Sequence, residues 1–323
     1  MPRYVKKNNT YKIVVIVLAV LILAAWTFTY IKVSEYEKGS TRHLMETVIS
    51  RLEKQFDGEF SYKRSKFIDE DIEYIVLRDG KPFATTILNK SDKQGMLGFD
   101  LYTAGDTRGV ESVSFLALPT DKALVGDYKQ EGMNVKESGI PLPFLEDLSK
   151  HKTNTTCKVP EYNLYVVDGL FEKLPITTDA GDEILVETTK GTLLAHKMGE
   201  DKQKKLSSWT EDFVERYTHY VVLGKGFDDI KNDIFYTSPI YNIVNKFRSM
   251  WDFYYDYDIS IDQISFSDFI EYTDDVVSLR VRYKYTQSYH KTHTEHRPEI
   301  NLFLYNNHGK WQVVEMQTTE WAE

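Results

Sequence analysis

Residues 13–31 run for nineteen positions without a charge, from Ile13 to Ile31, and Lys12 and Lys32 close the ends. As a helix this run rises about 28 Å, which matches a bilayer hydrocarbon core of roughly 30 Å. A helix also satisfies its own backbone polar groups in lipid, so a membrane span is the physical reading. Trp26 and Tyr30 fall near the far end, where interfacial aromatic belts form. The short leader carries Arg3, Lys6, Lys7 and Lys12 and no acid, whereas Lys32, Glu35, Glu37 and Lys38 balance on the far side. The positive-inside rule then places residues 1–12 in the cytoplasm and the body of the chain outside it. A cleaved signal peptide would have a shorter apolar region followed by a small-x-small site. Ala24-Ala25-Trp26 fits that poorly, since Ile22 and Leu23 stand where a small residue is needed, so a retained single-pass anchor is expected. No cysteine lies near the run to carry a lipid. The single cysteine, Cys157, excludes an intrachain disulfide framework and any multi-thiolate metal site.

Beyond the anchor, 41% hydrophobic and 28% charged residues indicate a folded body. A net charge of −9 argues against nucleic acid as a partner, because phosphate binding needs a basic surface. The overall expectation is an α+β chain. Leu44, Val48, Leu52 and Phe56 recur every four residues and predict a helix over 41–55 that ends at Gly58. Strand-like runs follow at 72–78, 81–88, 98–103 and 111–116, with Asp79-Gly80 as a hairpin turn. Together they suggest a helix-plus-antiparallel-meander domain over 41–126, cone- or cystatin-like in outline. Residues 127–158, with Gly132, Gly139, Pro141 and Pro143, read as a connector containing a short helix at 144–148. A small all-β segment is expected over 159–198, with strands at 162–167, 174–177 and 184–188.

Residues 199–206 are dense in charge and read as a linker. Ser207 or Ser208 can cap the next helix, with Glu211 completing a capping box. Phe213, Tyr217, Tyr220 and Val221 recur at helical spacing until Gly224 and Gly226. Ser238-Pro239 opens another helix, with Ile240, Val244, Phe247 and Trp251 as its stripe. Four strands are then predicted at 259–269, 276–289, 299–305 and 311–317. Alternation in the second places Val277, Leu279, Val281, Tyr283 and Tyr285 on one face and Arg280, Arg282 and Lys284 on the other.

The terminal hairpin carries Phe303 and Tyr305 before Asn307-His308-Gly309, and Lys310-Trp311-Gln312-Val313-Val314 after it. This G-K-W-x-V pattern resembles the closing strands of nuclear transport factor 2-like, or cone-fold, domains. The resemblance covers roughly 207–323 and implies helices packed into a curved antiparallel sheet. The chain as a whole also resembles uncharacterised membrane-anchored exported proteins of Gram-positive bacteria, on Val159 to Leu170 and this final domain.

Two clusters are candidates for chemistry. Trp251, Tyr254, Tyr255, Asp256 and Tyr257 interleave rings with acid, as a cation-binding or sugar-stacking surface would. The alternative is that these rings plug the mouth of the cone. His290, His293 and His296 are candidate metal ligands, but on a strand His293 would face away from the other two, and a solvated loop is expected instead. Within an enzymatic cone, Asp252 with Tyr217 or Tyr283 would be the acid–base choice. No G-x-S-x-G, P-loop or dinucleotide fingerprint is present, and Ser149-Lys150-His151-Lys152 lacks the motifs that accompany S-x-x-K in penicillin-recognising enzymes. No catalytic residue and no cofactor is therefore assigned. The final domain, from Ser207 on, holds 19 acids against 11 bases. A cationic partner or plain solubility would each account for that excess. The expectation is an anchored, extracytoplasmic, non-enzymatic protein that binds an envelope protein or small ligand. The alternatives are a scaffold subunit of a type IV secretion or conjugation-like machine, and an enzyme with a hydrophobic cone pocket.

Overall fold

The computed structural model describes residues 10–95, 98–145, 159–247 and 257–320. Trp251, Asp252, Tyr254, Tyr255 and Asp256, and likewise Ser149–Lys152 and Cys157, lie outside the described residues. The architecture is α+β, with an apolar N-terminal helix, one antiparallel four-stranded sheet and one strongly curled larger sheet. The chain divides into two compact units. One is Met1–Ser112 with Asp168–Lys173, and the other is Val113–Val167 with Leu174–Glu323.

Helix α1 (Thr10–Lys38) is apolar on every side and is the one helix among the described residues long and apolar enough to cross a membrane. The two threonines within the apolar run turn their hydroxyls back onto the helix. Thr27 Oγ1 donates to Leu23 O at 2.7 Å and Thr29 Oγ1 to Ala25 O at 2.8 Å. Neither threonine hydroxyl in the run is thereby left without a partner, which is what a lipid environment requires. Gly39 and Ser40 separate α1 from α2 (Thr41–Leu52), and the Ser40 Oγ caps the second helix by accepting from His43 N.

The first unit packs α2 on the sheet β1 (Phe60–Ile68), β2 (Asp71–Arg78), β3 (Lys81–Gln94) and β4 (Asp100–Gly109), in that order. Met45, Val48 and Leu52 bury against Ile72, Tyr74, Val76, Phe83 and Leu88. Asp79 and Gly80 both take positive φ, 51° and 78°, as the predicted hairpin turn requires. Strand β1 carried no alternation in the sequence because it buries almost nothing and is held by its ladder to β2. Asp168–Lys173 completes this unit, with Phe171 against Phe56 and Phe83 and Glu172 paired to Arg78 at 3.0 Å. Gly109 is where that segment comes closest, since a Cβ there would stand 1.8 Å from Leu170 O.

The second unit is built on a ten-stranded sheet. Its early members are β5 (Glu111–Ala117), β8 (Asn134–Pro141), β9 (Glu161–Leu170), β11 (Glu183–Thr188) and β12 (Gly191–Lys197). Its later members are β13 (Asp258–Thr273), β14 (Val276–Tyr289), β15 (Thr292–His296), β16 (Pro298–Asn307) and β17 (Lys310–Glu320). The main order is β17-β16-β14-β13-β12-β5-β9-β8, with β11 on β12 and β15 on β14. A small three-stranded sheet joins β6 (Ala123–Val125) to β7 (Tyr128–Lys129) and β10 (Ile176–Thr178).

Four expectations change here. Residues 111–116, expected to close the first meander, form β5 of the larger sheet, which also takes in the strands expected at 162–167 and 184–188, while the one expected at 174–177 falls in the three-stranded sheet as β10. Within the expected connector, residues 134–141 form an exposed edge strand, where Gly139 and Pro141 are tolerated. The charged residues 199–206 are helical, because α3 runs Glu200–Leu223 from a Gly199 cap rather than from Ser207 or Ser208. Both serines sit inside it and bond back to Gln203 O and Lys204 O, while Leu206 is fully buried. Finally, His293 and His296 lie on strand β15, not in a loop.

The predicted stops and starts downstream match the structure. Gly224 ends α3 in the left-handed conformation at φ 66°, and Ser238 Oγ accepts from Tyr241 N at the start of α5 (Pro239–Phe247). A short turn of helix, α4 (Phe227–Ile230), lies between them. The alternation of β14 also matches. Val277, Leu279, Val281 and Tyr283 are buried in one core with Leu206, Phe213, Val214, Tyr220, Val244 and Leu302. Arg280, Arg282 and Lys284 make ion pairs on the opposite face, with Asp268, Glu299 and Glu295 respectively.

Candidate functional site

The helices α3 and α5 fill most of the space over the sheet face formed by β14, β16 and β17. Phe213, Val214, Tyr220, Phe227, Val277, Leu279, Val281, Leu302 and Leu304 are all buried within it. Beside this core a cavity of about 170 Å³ remains, lined by Tyr217, Thr218 and Val221 of α3, Tyr283 and Tyr285 of β14, His296 of β15, and Ile300 of β16 among others. Ligand sites for drug-sized molecules span roughly 300–1,000 Å³. This cavity is therefore the size of one amino-acid side chain or a similar fragment, not of a steroid-like body.

Its polarity comes from hydroxyls and one imidazole. Thr218 Oγ1 and Tyr283 OH lie 2.9 Å apart in a fully buried hydrogen bond. Burial pushes the Tyr217 phenol up to about 12 and raises the Tyr283 phenol further, so both are neutral donors at physiological pH. Tyr285 stacks on His296 with ring centroids 4.7 Å apart and planes 20° apart. Trp209, Phe213 and Tyr217 form a continuous ring stack along α3, at 5.5 and 5.7 Å. No carboxylate lines the cavity among the described residues. The site can offer neutral hydrogen bonds, aromatic faces and the His296 imidazole, with no carboxylate among the described residues of its lining.

The sequence candidates distribute unevenly around it. Tyr217 and Tyr283 both line the cavity, whereas Asp252, their suggested partner, lies outside the described residues. Of the aromatic–acid run only Tyr257 is described, half-buried with its ring 5.4 Å from that of Tyr289. The three histidines separate. His290 holds a positive φ of 52° at the β14–β15 turn against Tyr289, His293 Nδ1 bonds Ser288 Oγ at 2.8 Å, and His296 faces the cavity. Strand alternation divides His293 from His296, and no group of His, Cys, Asp or Glu able to hold a metal ion occurs among the described residues.

A second polar cluster was invisible in the sequence because its members lie far apart along the chain. His196 on β12 stands between two carboxylates, with Nε2 3.4 Å from Asp121 and Nδ1 3.3 Å from Asp182. Burial raises the Asp121 carboxyl, although Leu118 N donates to it at 2.8 Å. Burial also acts to raise Asp182, but the Thr178 hydroxyl and His196 outweigh it and leave that carboxyl lowered. The cluster ties the 118–121 turn and the 178–183 turn to β12.

No protein-family model matches the chain, and no curated protein sequence does. Bd1075 of Bdellovibrio bacteriovorus has a solved structure that is 7% identical, covering 74% of this chain and 90% of that one at a TM-score of 0.28. A likeness of that order bears on neither fold family nor role.

Proposed function

We propose that the protein is a single-pass, membrane-anchored binding protein, with α1 retained in the bilayer, residues 1–12 in the cytoplasm and the body outside it. In this proposal the cone resemblance of residues 207–323 holds, and the mouth cavity receives one aromatic or aliphatic group of an envelope protein or small envelope ligand. The observation that carries it is the lining. Tyr217, Thr218, Tyr283, Tyr285 and His296 supply hydroxyls, ring faces and an imidazole around a space of side-chain size. Placing helices α3, α4 and α5 ahead of the antiparallel strands β13–β17 supports the cone reading. An acid–base role is the weaker alternative: His296 is an imidazole in the lining, but the carboxylate suggested for that role, Asp252, lies outside the described residues.

The test places a photo-crosslinking amino acid at Val221, which lines the cavity and is 39% exposed. In native membranes it is expected to give a discrete adduct that disappears when Tyr217→Trp fills the mouth. No adduct at Val221, together with no envelope fragment binding at micromolar affinity, would overturn the binding role.

A further inference from the structure

Strand β3 is far longer than its neighbour β2. Asp71 Oδ1 accepts from Lys90 N beside the β1–β2 turn, and β3 then continues for four more residues paired only with β4. Because β3 bulges there, with Lys90 opposite Tyr102 and Gln94 opposite Asp100, the arm advances by only two residues of β4, about 7 Å at roughly 3.3 Å per residue, before its tip. Its tip is closed by Gly95 N donating to Phe99 O at 2.8 Å.

The arm ends against the C-terminal end of α1. The Phe99 ring lies 5.6 Å from that of Tyr36, Leu101 packs on Gly39, and Tyr102 N donates to Gly39 O at 2.9 Å. The helix sets the height of these contacts. Tyr36 stands five residues beyond Ile31, the last apolar position of the run, which is about 7.5 Å at 1.5 Å per residue. The headgroup zone on each side of a bilayer is roughly 5–7 Å deep. Tyr36, and Phe99 beside it, therefore stand at the outer edge of the headgroups. Phe99 is 53% exposed, a cost in water that a lipid interface removes.

We infer that the β3–β4 arm is a second membrane contact, with Phe99 resting in the lipid–water interface of the bilayer that α1 crosses. This rests on reading α1 as a retained span. The arm braces the junction between α1 and α2, so that the first unit is held at a fixed height rather than swinging on a free stalk.

The test uses the full chain in phosphatidylcholine vesicles. Cys157→Ser removes the only native thiol, and Phe99→Cys or Lys93→Cys then carries an environment-sensitive fluorophore on the arm. Asp79→Cys carries it at the opposite end of the sheet. Retention after alkaline carbonate washing reports the span separately. Headgroup-nitroxide lipid is expected to quench the label at 99 at least twofold more than at 79, with the label at 93 following 99. Equal quenching at 99 and 79 in a chain that resists carbonate overturns the arm contact alone. Release of the chain by carbonate overturns the span and the arm contact with it. Should the label at 99 unfold the unit, position 93 on the same arm reads the same contact against 79, and equal quenching there overturns it equally.

Discussion

The buried pair Thr218–Tyr283 is the sharpest internal probe of the candidate site. Both side chains are 2% exposed, and their oxygens are 2.9 Å apart. A hydrogen bond of this kind contributes about 0.5–1.5 kcal/mol net, while a buried hydroxyl stripped of its partner costs about 1–3 kcal/mol. Thr218→Val keeps shape and leaves the Tyr283 hydroxyl facing the cavity, where water can partly replace the partner. Tyr283→Phe leaves the Thr218 hydroxyl on a helix, free to turn back to a carbonyl one turn earlier. Each single change is therefore expected to cost about 1–2 kcal/mol, and the double change little more than either one alone. The coupling energy from the double-mutant cycle should be about 1 kcal/mol. Equilibrium urea unfolding of the full chain in detergent micelles measures all four proteins. Single effects that simply add, with coupling under about 0.3 kcal/mol, would show that the two hydroxyls do not bond and that this cavity is built differently.

Gly109→Ala should destabilise the first unit by at least about 3 kcal/mol, since its Cβ would overlap the Leu170 carbonyl. Gly132→Ala, with nothing within 4 Å, should change stability by under about 0.5 kcal/mol in the same urea measurement. Leu206→Ala should cost about 2–5 kcal/mol, and a loss below about 0.5 kcal/mol would return residues 200–206 to the status of a linker. Alkaline stability follows from Tyr217, whose phenol keeps its proton in the folded state up to about 12 while an unfolded one ionises near 10. Its stabilising contribution is complete below pH 10 and is lost as pH rises from 10 to 12. Tyr217→Phe should flatten that decline in a pH series of unfolding midpoints.

Local chemistry was the most legible part of the fold. The Asp79-Gly80 turn, the Gly224 stop, the Ser238-Pro239 start and the alternation of β14 each depend on a few adjacent residues, and each is present in the structure. What the sequence hid depends on partners distant in the chain. Strand β12 has Leu193, Leu194 and Ala195 all buried, so no alternation marks it. Helix α3 begins in a charged stretch because Lys202 is tied to Glu271 at 2.8 Å and because only Leu206 on that first stretch needs a core. At the candidate site, Tyr217 and Tyr283 were named from the sequence and both line the cavity, but His296 reads as a metal candidate until β15 turns it away from His293. The Asp121–His196–Asp182 cluster has no sequence signal, since its members are brought together only by the sheet.

Every role proposed above requires that residues 13–31 stay in the bilayer and carry the body outside the cytoplasm. Protease treatment of intact cells carrying one tag at each terminus, with the cell wall made permeable, tests this most directly. A retained span with this orientation leaves the C-terminal tag and the body digested, while a membrane-protected fragment of about 4 kDa, by the length of α1 and its leader, keeps the N-terminal tag. A body left intact until the cells are lysed, or a C-terminal product recovered in soluble form with its amino terminus beyond residue 25, would refute it.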